Sequence, residues 1–401
     1  MSATAAGPDP RTTRTPADDL GRRLLARLRP GPGGWRTAGC TVLLVAAALG
    51  LSAVLLMLTG ASPSASVEAI WTGSLANSTG WTTTLLNAAP LLLVAVGTCV
   101  CAAAGTFNIG QEGQVLIGGL AGAWVGLRLA MPGPMLVVVV MAAAAVGGGA
   151  WAALSALMYR FRGVNVAVST LLMTFLALQL VTFAVSTPWF LQESAQGSSG
   201  IADAQSNPLP AGALLGGFGQ YPSLQVNLGL FVALAAAVGV AVVLTRSRWG
   251  FRVRMVGLNP RTAQHTGVRV AALSGLTLTL SGAFAGLAGG LLLASPVSTN
   301  RLQAGLSDNV GWDGLLVALV ARNRPLVAIP VSFVFAVLRS GGDFLSATGV
   351  PYYLVDIVKA LLVLAFVVPP LLVNLVSGRR GARPSAAPAA PVVPTEVKAA
   401  A

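Results

Sequence analysis

The sequence has almost no lysine: of 25 basic residues only Lys359 and Lys398 are not arginine, and no Gly-x-x-x-x-Gly-Lys-Ser/Thr occurs. Without that loop there is no backbone cradle for nucleotide phosphates, so no ATPase site is expected in this chain. The single histidine, His265, has no cysteine or histidine at ligand spacing, which leaves no metal set. The three cysteines, Cys40, Cys99 and Cys101, fall inside apolar runs. Cys99 and Cys101 would lie about 200° apart on a helix, so they read as core filler rather than chelators or a disulfide framework. Neither a Gly-x-Ser-x-Gly elbow nor a His-Glu-x-x-His is present. The chain is expected not to be an enzyme and to hold no cofactor of its own.

Charged residues are also scarce, at 9%, against 55% hydrophobic over 401 residues. That balance excludes a water-soluble core and predicts an all-α polytopic membrane protein. Ten apolar runs are expected to span, at about 40–58, 84–104, 115–130, 135–158, 166–189, 226–245, 270–294, 311–321, 326–338 and 353–376. The runs at 311–321 and 326–338 are short for the ~20 residues a bilayer requires. They are expected either to extend into 302–310 and 340–345 or to be broken, re-entrant segments. The first run precedes Ala61-Ser-Pro-Ser-Ala-Ser, which imitates a signal-peptidase site, but its length indicates a retained signal anchor.

The net charge of +13 does not indicate nucleic acid, because the arginines sit in short segments between apolar runs and form no basic face interleaved with aromatics. Topology accounts for them. With the N-terminus inside, all of the basic residues except Arg128, Arg301, Arg339 and Lys359 fall on the cytoplasmic side, and both termini are cytoplasmic. Residues 1–36 read as a disordered basic tail, 37–378 as the membrane domain, and 379–401 as a disordered Ala/Pro-rich tail. Residues 191–224 form a long outer loop, either a docking surface or a linker. The inner loop 246–269 contains a compact helix sentence: Asn259 as N-cap, Pro260 at the first helical position and Gly267 as a left-handed stop. Two readings of that helix are open, a lever for a partner protein or an amphipathic helix resting on anionic lipid beside Arg252, Arg254 and Arg261.

One stretch breaks the membrane pattern with polar residues: Gly105-Thr-Phe-Asn-Ile-Gly-Gln-Glu-Gly-Gln114. A carboxylate such as Glu112 at mid-bilayer costs roughly 2.5–3.5 kcal/mol, and irregular backbone there survives only inside protein or along a watery cavity. Phe107, Asn108, Gln111, Glu112 and Gln114 are therefore candidate pathway residues. The alternative is a wetted turn at the membrane surface. Near the other end, Asp356 and Lys359 stand three apart on one helix face and are expected to form a structural ion pair.

Phe107-Asn-Ile-Gly-Gln-Glu-Gly-Gln114 resembles the hallmark of permease subunits of bacterial ABC importers in the ribose and branched-chain amino acid permease superfamily, on its nucleoside and simple-sugar branch. The segments Arg246 to Gln264, Ser281 to Gly290, Gly311 to Leu319 and Arg322-Asn-Arg-Pro325 resemble the same family, over about 84–376. The resemblance implies a translocation subunit for nucleosides or simple sugars in the bacterial plasma membrane. The implied partners are a second related permease subunit, an extracytoplasmic substrate-binding lipoprotein and cytoplasmic ATPases that bind the ATP and Mg. It assigns ATPase contact to the inner loop, here Gly257, Asn259, Pro260, Arg261 and Gln264. Trp312 and Asp313, an aromatic and an acid at a span entrance, would then meet a base or ribose, or anchor the interface. The competing class is a proton-coupled secondary transporter using Glu112, Asp313 and Asp356.

Overall fold

A computed structural model describes residues 34–58, 62–194, 203–219, 224–295, 299–347 and 352–381. The expected tails lie outside the described residues except at 34–36 and 379–381, which are helical, and so do 195–202 and 220–223 of the long loop. The chain divides into two compact units, Met1–Ala48 with Leu364–Ala401, and Leu49–Val363. Of the first, residues 34–48 and 364–381 are helical. All that follows concerns the second.

Its helices, numbered in chain order, are α1 (Gly34–Leu58, entering from the first unit), α2 (Pro63–Ser74), α3 (Ser78–Ala103), α4 (Gln111–Gly126), α5 (Gly133–Arg162), α6 (Val166–Ser186), α7 (Leu228–Arg246), α8 (Arg248–Leu258), α9 (Pro260–His265), α10 (Val270–Ala294), α11 (Val310–Val320), α12 (Pro325–Ala347) and α13 (Tyr352–Gly381). Short polar side chains start many of them by accepting an otherwise orphaned N–H: Ser62 for α2, Asn77 for α3, Asn165 for α6, Asn227 for α7 and Ser247 for α8. The long loop carries a 3₁₀ turn, Ala211–Ala213, and one strand of a small antiparallel ribbon pairing Gly217–Phe218 with Val226–Asn227.

Among the described residues six helices, α3, α5, α6, α7, α10 and α12, are long and apolar enough to cross a membrane, or seven if Val42–Leu58 and Pro63–Ser74 make one broken span. The chain is thus a helical, multi-pass membrane protein. Two expected spans stay below the ~20 residues a bilayer requires. The run at 115–130 is the 16-residue α4, and the run at 311–321 is the 11-residue α11, which does not extend back into 302–310. The run at 326–338 does lengthen through 340–345, as α12.

Helix α3 is the central element: from Ala88 to Cys101 every residue is buried. Helix α10 packs against α3, α4 and α5 through small residues. Gly118 of α4, Gly148 of α5 and Gly286 of α10 meet so closely that a methyl on Gly118 or Gly148 would strike the backbone of Gly286, and one on Gly286 that of Gly148. Such backbone-to-backbone approach is how helices associate where no water drives them together.

Candidate functional site: a broken helix pair and its polar knot

After α3 the chain does not continue as helix. Gly105 adopts φ +72°, a left-handed turn that side chains resist, and the extended stretch that follows leads Asn108 into the protein. Helix α4 then starts at Gln111, so its polar first turn faces inward. Asn108, Gln111, Glu112 and Gln114 are all buried.

They satisfy one another. Asn108 Nδ2 donates to Gln114 Oε1 at 2.8 Å, and Gln114 Nε2 donates back to Asn108 Oδ1 at 3.1 Å. Asn108 Oδ1 also accepts from the Gly110 N–H at 3.1 Å. Gln111 Nε2 donates to Thr98 Oγ1 of α3 at 2.7 Å and to Ser281 Oγ of α10 at 3.1 Å. Ser281 Oγ accepts from Asn108 Nδ2 as well, at 3.0 Å. Five neutral side chains therefore close a knot between α3, α4 and α10. A fully satisfied network of this kind rigidifies its site, whereas a half-satisfied one would be costly.

Ser281 lies near the middle of the 25-residue α10. A helix of that length rises about 37 Å and spans the ~30 Å hydrocarbon core. Along α10 the knot is thus near mid-helix, whereas Thr98 stands five residues before the end of α3 and Thr170, which accepts from the Ile109 N–H, lies near the start of α6. Phe107, by contrast, is exposed.

Glu112 joins the second half-helix. Its Oε2 accepts from the Gly311 N–H at 2.8 Å, so one carboxylate sits in the first turn of its own α4 and at the start of α11. Both helix ends are positive and stabilise it. A methyl at Gly311 would collide with the Glu112 backbone, so the contact needs glycine there. Two residues on, Asp313 is buried in an ion cluster: Oδ2 lies 3.1 Å from Lys359 Nζ and 3.4 Å from Arg339 NH1. Arg339 also holds Asp308 at 2.7 Å, and Lys359 holds Asp356 at 2.8 Å. The expected Asp356 and Lys359 pair is thus present, with Asp313 as an added partner from a different helix. Trp312 is partly buried at the start of α11.

The inner-loop residues form a separate group beyond the same, C-terminal end of α3. Asn259 Oδ1 accepts from the N–H groups of Arg261 and Thr262 at 3.1 and 3.2 Å, Pro260 starts α9, and Gly267 stops it at φ +81°. Arg261 and Gln264 are exposed, as is Leu258 at 88%. The preceding helix α8 was not foreseen; Val253 and Val256 bury its inner face. Its last turn reaches the break, since Gly257 lies against the backbone of Ala103 and Gly105 too closely to admit a side chain. Gly257 thus touches the segment leading to the knot, beside Val253 and Trp249, which pack in one cluster with Ala103 and Ala104.

Residues 80–367 match the family model of branched-chain amino acid transport system permease components. The chain belongs to that permease family. Among curated relatives it is 33% identical to the glucose ABC transporter permease protein TsgB13 of Haloferax volcanii, over 82% of this chain and 87% of that one. It is 29% identical to the guanosine ABC transporter permease protein NupP of Bacillus subtilis, over 86% and 97%. It is 24% identical to the nucleoside ABC transporter permease protein NupB of Lactococcus lactis, over 78% and 86%. No solved structure matches. In this family member, sequence reasoning missed Thr98, Ser281 and Arg339. Ser281 opens the small-residue run Ser-Gly-Ala-Phe-Ala-Gly, where a lone hydroxyl reads as helix packing until a partner helix is known.

Proposed function

We propose that this permease is the translocation subunit of an ATP-driven importer for nucleosides or simple sugars in the plasma membrane. Its partners are a second permease subunit, a substrate-binding lipoprotein on the outer side and cytoplasmic ATPases that bind the ATP and Mg. Asn108, Gln111, Glu112 and Gln114 act as the gate on the pathway, with Phe107, Trp312 and Asp313 flanking it. Gly257, Asn259, Pro260, Arg261 and Gln264 form the ATPase-coupling surface. The observation that carries this reading is the packing of Gly257 on Ala103 and Gly105. A rigid contact is what a distant ATPase needs in order to favour one state of the gate over another. The exposed Leu258 and Arg261 at the α8–α9 corner suit a protein partner that buries them. The proton-coupled alternative loses two of its three carboxylates to cations, since Asp313 and Asp356 are both ion-paired.

The test uses two variants in membranes. Asn259→Ala with Arg261→Glu removes a cap worth about 1 kcal/mol and reverses a charge, so ATPase co-purification should fall while the permease stays inserted. Gly257→Val should retain the ATPase yet lose uptake per ATP hydrolysed. Wild-type coupling in Gly257→Val, or uptake that collapses with the proton gradient and persists without the ATPase, would defeat the proposal.

A further inference from the structure

The knot spends its amides on itself, so hydrogen-bonding surface for a solute must lie elsewhere along the same helices. A cavity of about 290 Å³ lies between α3, α7, α10 and α12, and its polar lining is Thr83, Asn87, Asn227, Ser295 and Asp343. Asn87 precedes Thr98 by roughly three turns of α3, and Leu291, also in the wall, follows Ser281 by nearly three turns of α10. The cavity therefore stands about 15 Å from the knot, between the same two helices, toward the end opposite α8 and α9.

Its polar groups are anchored with capacity to spare. Asn87 donates one amide hydrogen to Ser340 Oγ at 3.1 Å, which fixes the amide and leaves its oxygen and second N–H for a ligand. Asn227 Oδ1 accepts from the Gly229 N–H at 2.6 Å while capping α7, which leaves its NH₂ as donor. Pro90, in the wall, has no N–H to give the carbonyl of Leu86, so α3 presents a backbone acceptor on this side. Asp343 is exposed at the mouth. No arginine or lysine is among the lining residues, so a phosphate would find no counter-charge. The volume is at the small end for ligand sites, which excludes oligosaccharides.

Resting on the importer reading, we propose that this cavity is the outer vestibule where the solute waits above the closed knot, and that it takes a small neutral solute bearing a vicinal diol. The Asp343 carboxylate accepts from both hydroxyls of the diol, and Asn87 and Asn227 donate to ring or base oxygens. Nucleosides and monosaccharides share this chemistry, while nucleotides and sugar phosphates do not fit it.

The experiment uses the complete reconstituted complex with its ATPase and binding protein, and guanosine and glucose as probes. Asn227→Asp keeps the capping oxygen for Gly229 and replaces the donor with an acceptor. Uptake at saturating binding protein should fall roughly tenfold, as expected for a lost hydrogen bond. In a Cys40→Ser background, Asn87→Cys should react with an impermeant maleimide from outside, and the transported probe should slow that reaction severalfold. If the probe is transported but Asn227→Asp is wild type and Asn87→Cys is unprotected, the vestibule is wrong and the importer reading stands. If the wild type transports neither probe, the importer reading fails; protection of Asn87→Cys by either probe would still support the vestibule, and its absence would overturn it too. Should Asn227→Asp fail to assemble, the maleimide result alone decides in the same two directions.

Discussion

Two polar clusters lie on either side of the Glu112–Gly311 contact, and they are built from different materials. The knot of Asn108, Gln111, Gln114, Thr98 and Ser281 is neutral, whereas the cluster of Asp308, Asp313, Asp356, Arg339 and Lys359 is charged. Amides and hydroxyls are both donors and acceptors, so the knot can exchange partners with little loss. Separating buried ions has no such substitute. On the proposed gate reading, the knot holds one state rigidly until its partners exchange, and the ion cluster is the clamp that holds α11, α12 and α13 together.

The largest effect should come from breaking the clamp. Lys359 is 2% exposed, and Lys359→Met leaves Asp313 buried with only Arg339, which should cost about 3–5 kcal/mol. The double variant Lys359→Met with Asp313→Asn should recover most of the yield and thermal stability in detergent. Equal stability of single and double variants would remove the clamp from the account.

Next, Gly311→Ala forces α11 away from Glu112 at the contact between the clusters. Overpacking of this kind costs about 1–3 kcal/mol, enough to impair uptake in an assembled complex. A smaller loss is expected inside the knot. Ser281→Ala takes away one of two acceptors from Asn108 and one of three from Gln111, at about 1 kcal/mol, and should raise ATP hydrolysis per solute imported without lowering yield. A large fall in yield would mean that the knot, too, is a clamp.

The smallest effect serves as a surface reference for both clusters. Glu193 lies 2.6 Å from Arg301, which with the Gln205 side chain holds its carboxyl below the ordinary carboxylate range. A depressed folded-state value means that the contribution is complete above the ordinary range and is lost as pH falls through the depressed value. Acidification should therefore loosen the loop in wild type, as read by proteolysis near Asp203, and Arg301→Gln should weaken that pH dependence, leaving the part held by Gln205.

Much of the architecture is legible from residue order because apolar runs and caps are local signals. Asn259, Pro260 and Gly267 predict α9, and the spacing of Asp356 and Lys359 predicts their pair. Helix α8 escaped because arginines dominate its segment and only Val253 and Val256 mark the buried face. Helix α2 escaped because Ser62 and Pro63, a good cap and first residue, also resemble a cleavage site. The third partner of the ion pair was invisible for another reason: Asp313 lies 46 residues from Lys359, and no local pattern carries that contact. The same holds for Ser281, whose hydroxyl acquires a meaning only when α10 is laid against α4.

That last contact has a consequence for biosynthesis. Asn108 and Ser281 are 173 residues apart, and Glu112 and Gly311 are 199 apart. At about 5–20 residues per second, the ribosome supplies the second half of the knot roughly 10–35 s after the first. Throughout that interval Asn108, Gln111 and Glu112 lack their α10 and α11 partners and keep only the Asn108–Gln114 and Gln111–Thr98 bonds, and at 16 residues α4 is too short to span by itself. The first half must therefore stay beside the insertion machinery, or in its aqueous vestibule, until α10 arrives. In a Gln114→Cys variant, a ribosome stalled before residue 270 should leave the introduced thiol open to an aqueous reagent, and release beyond residue 320 should close it.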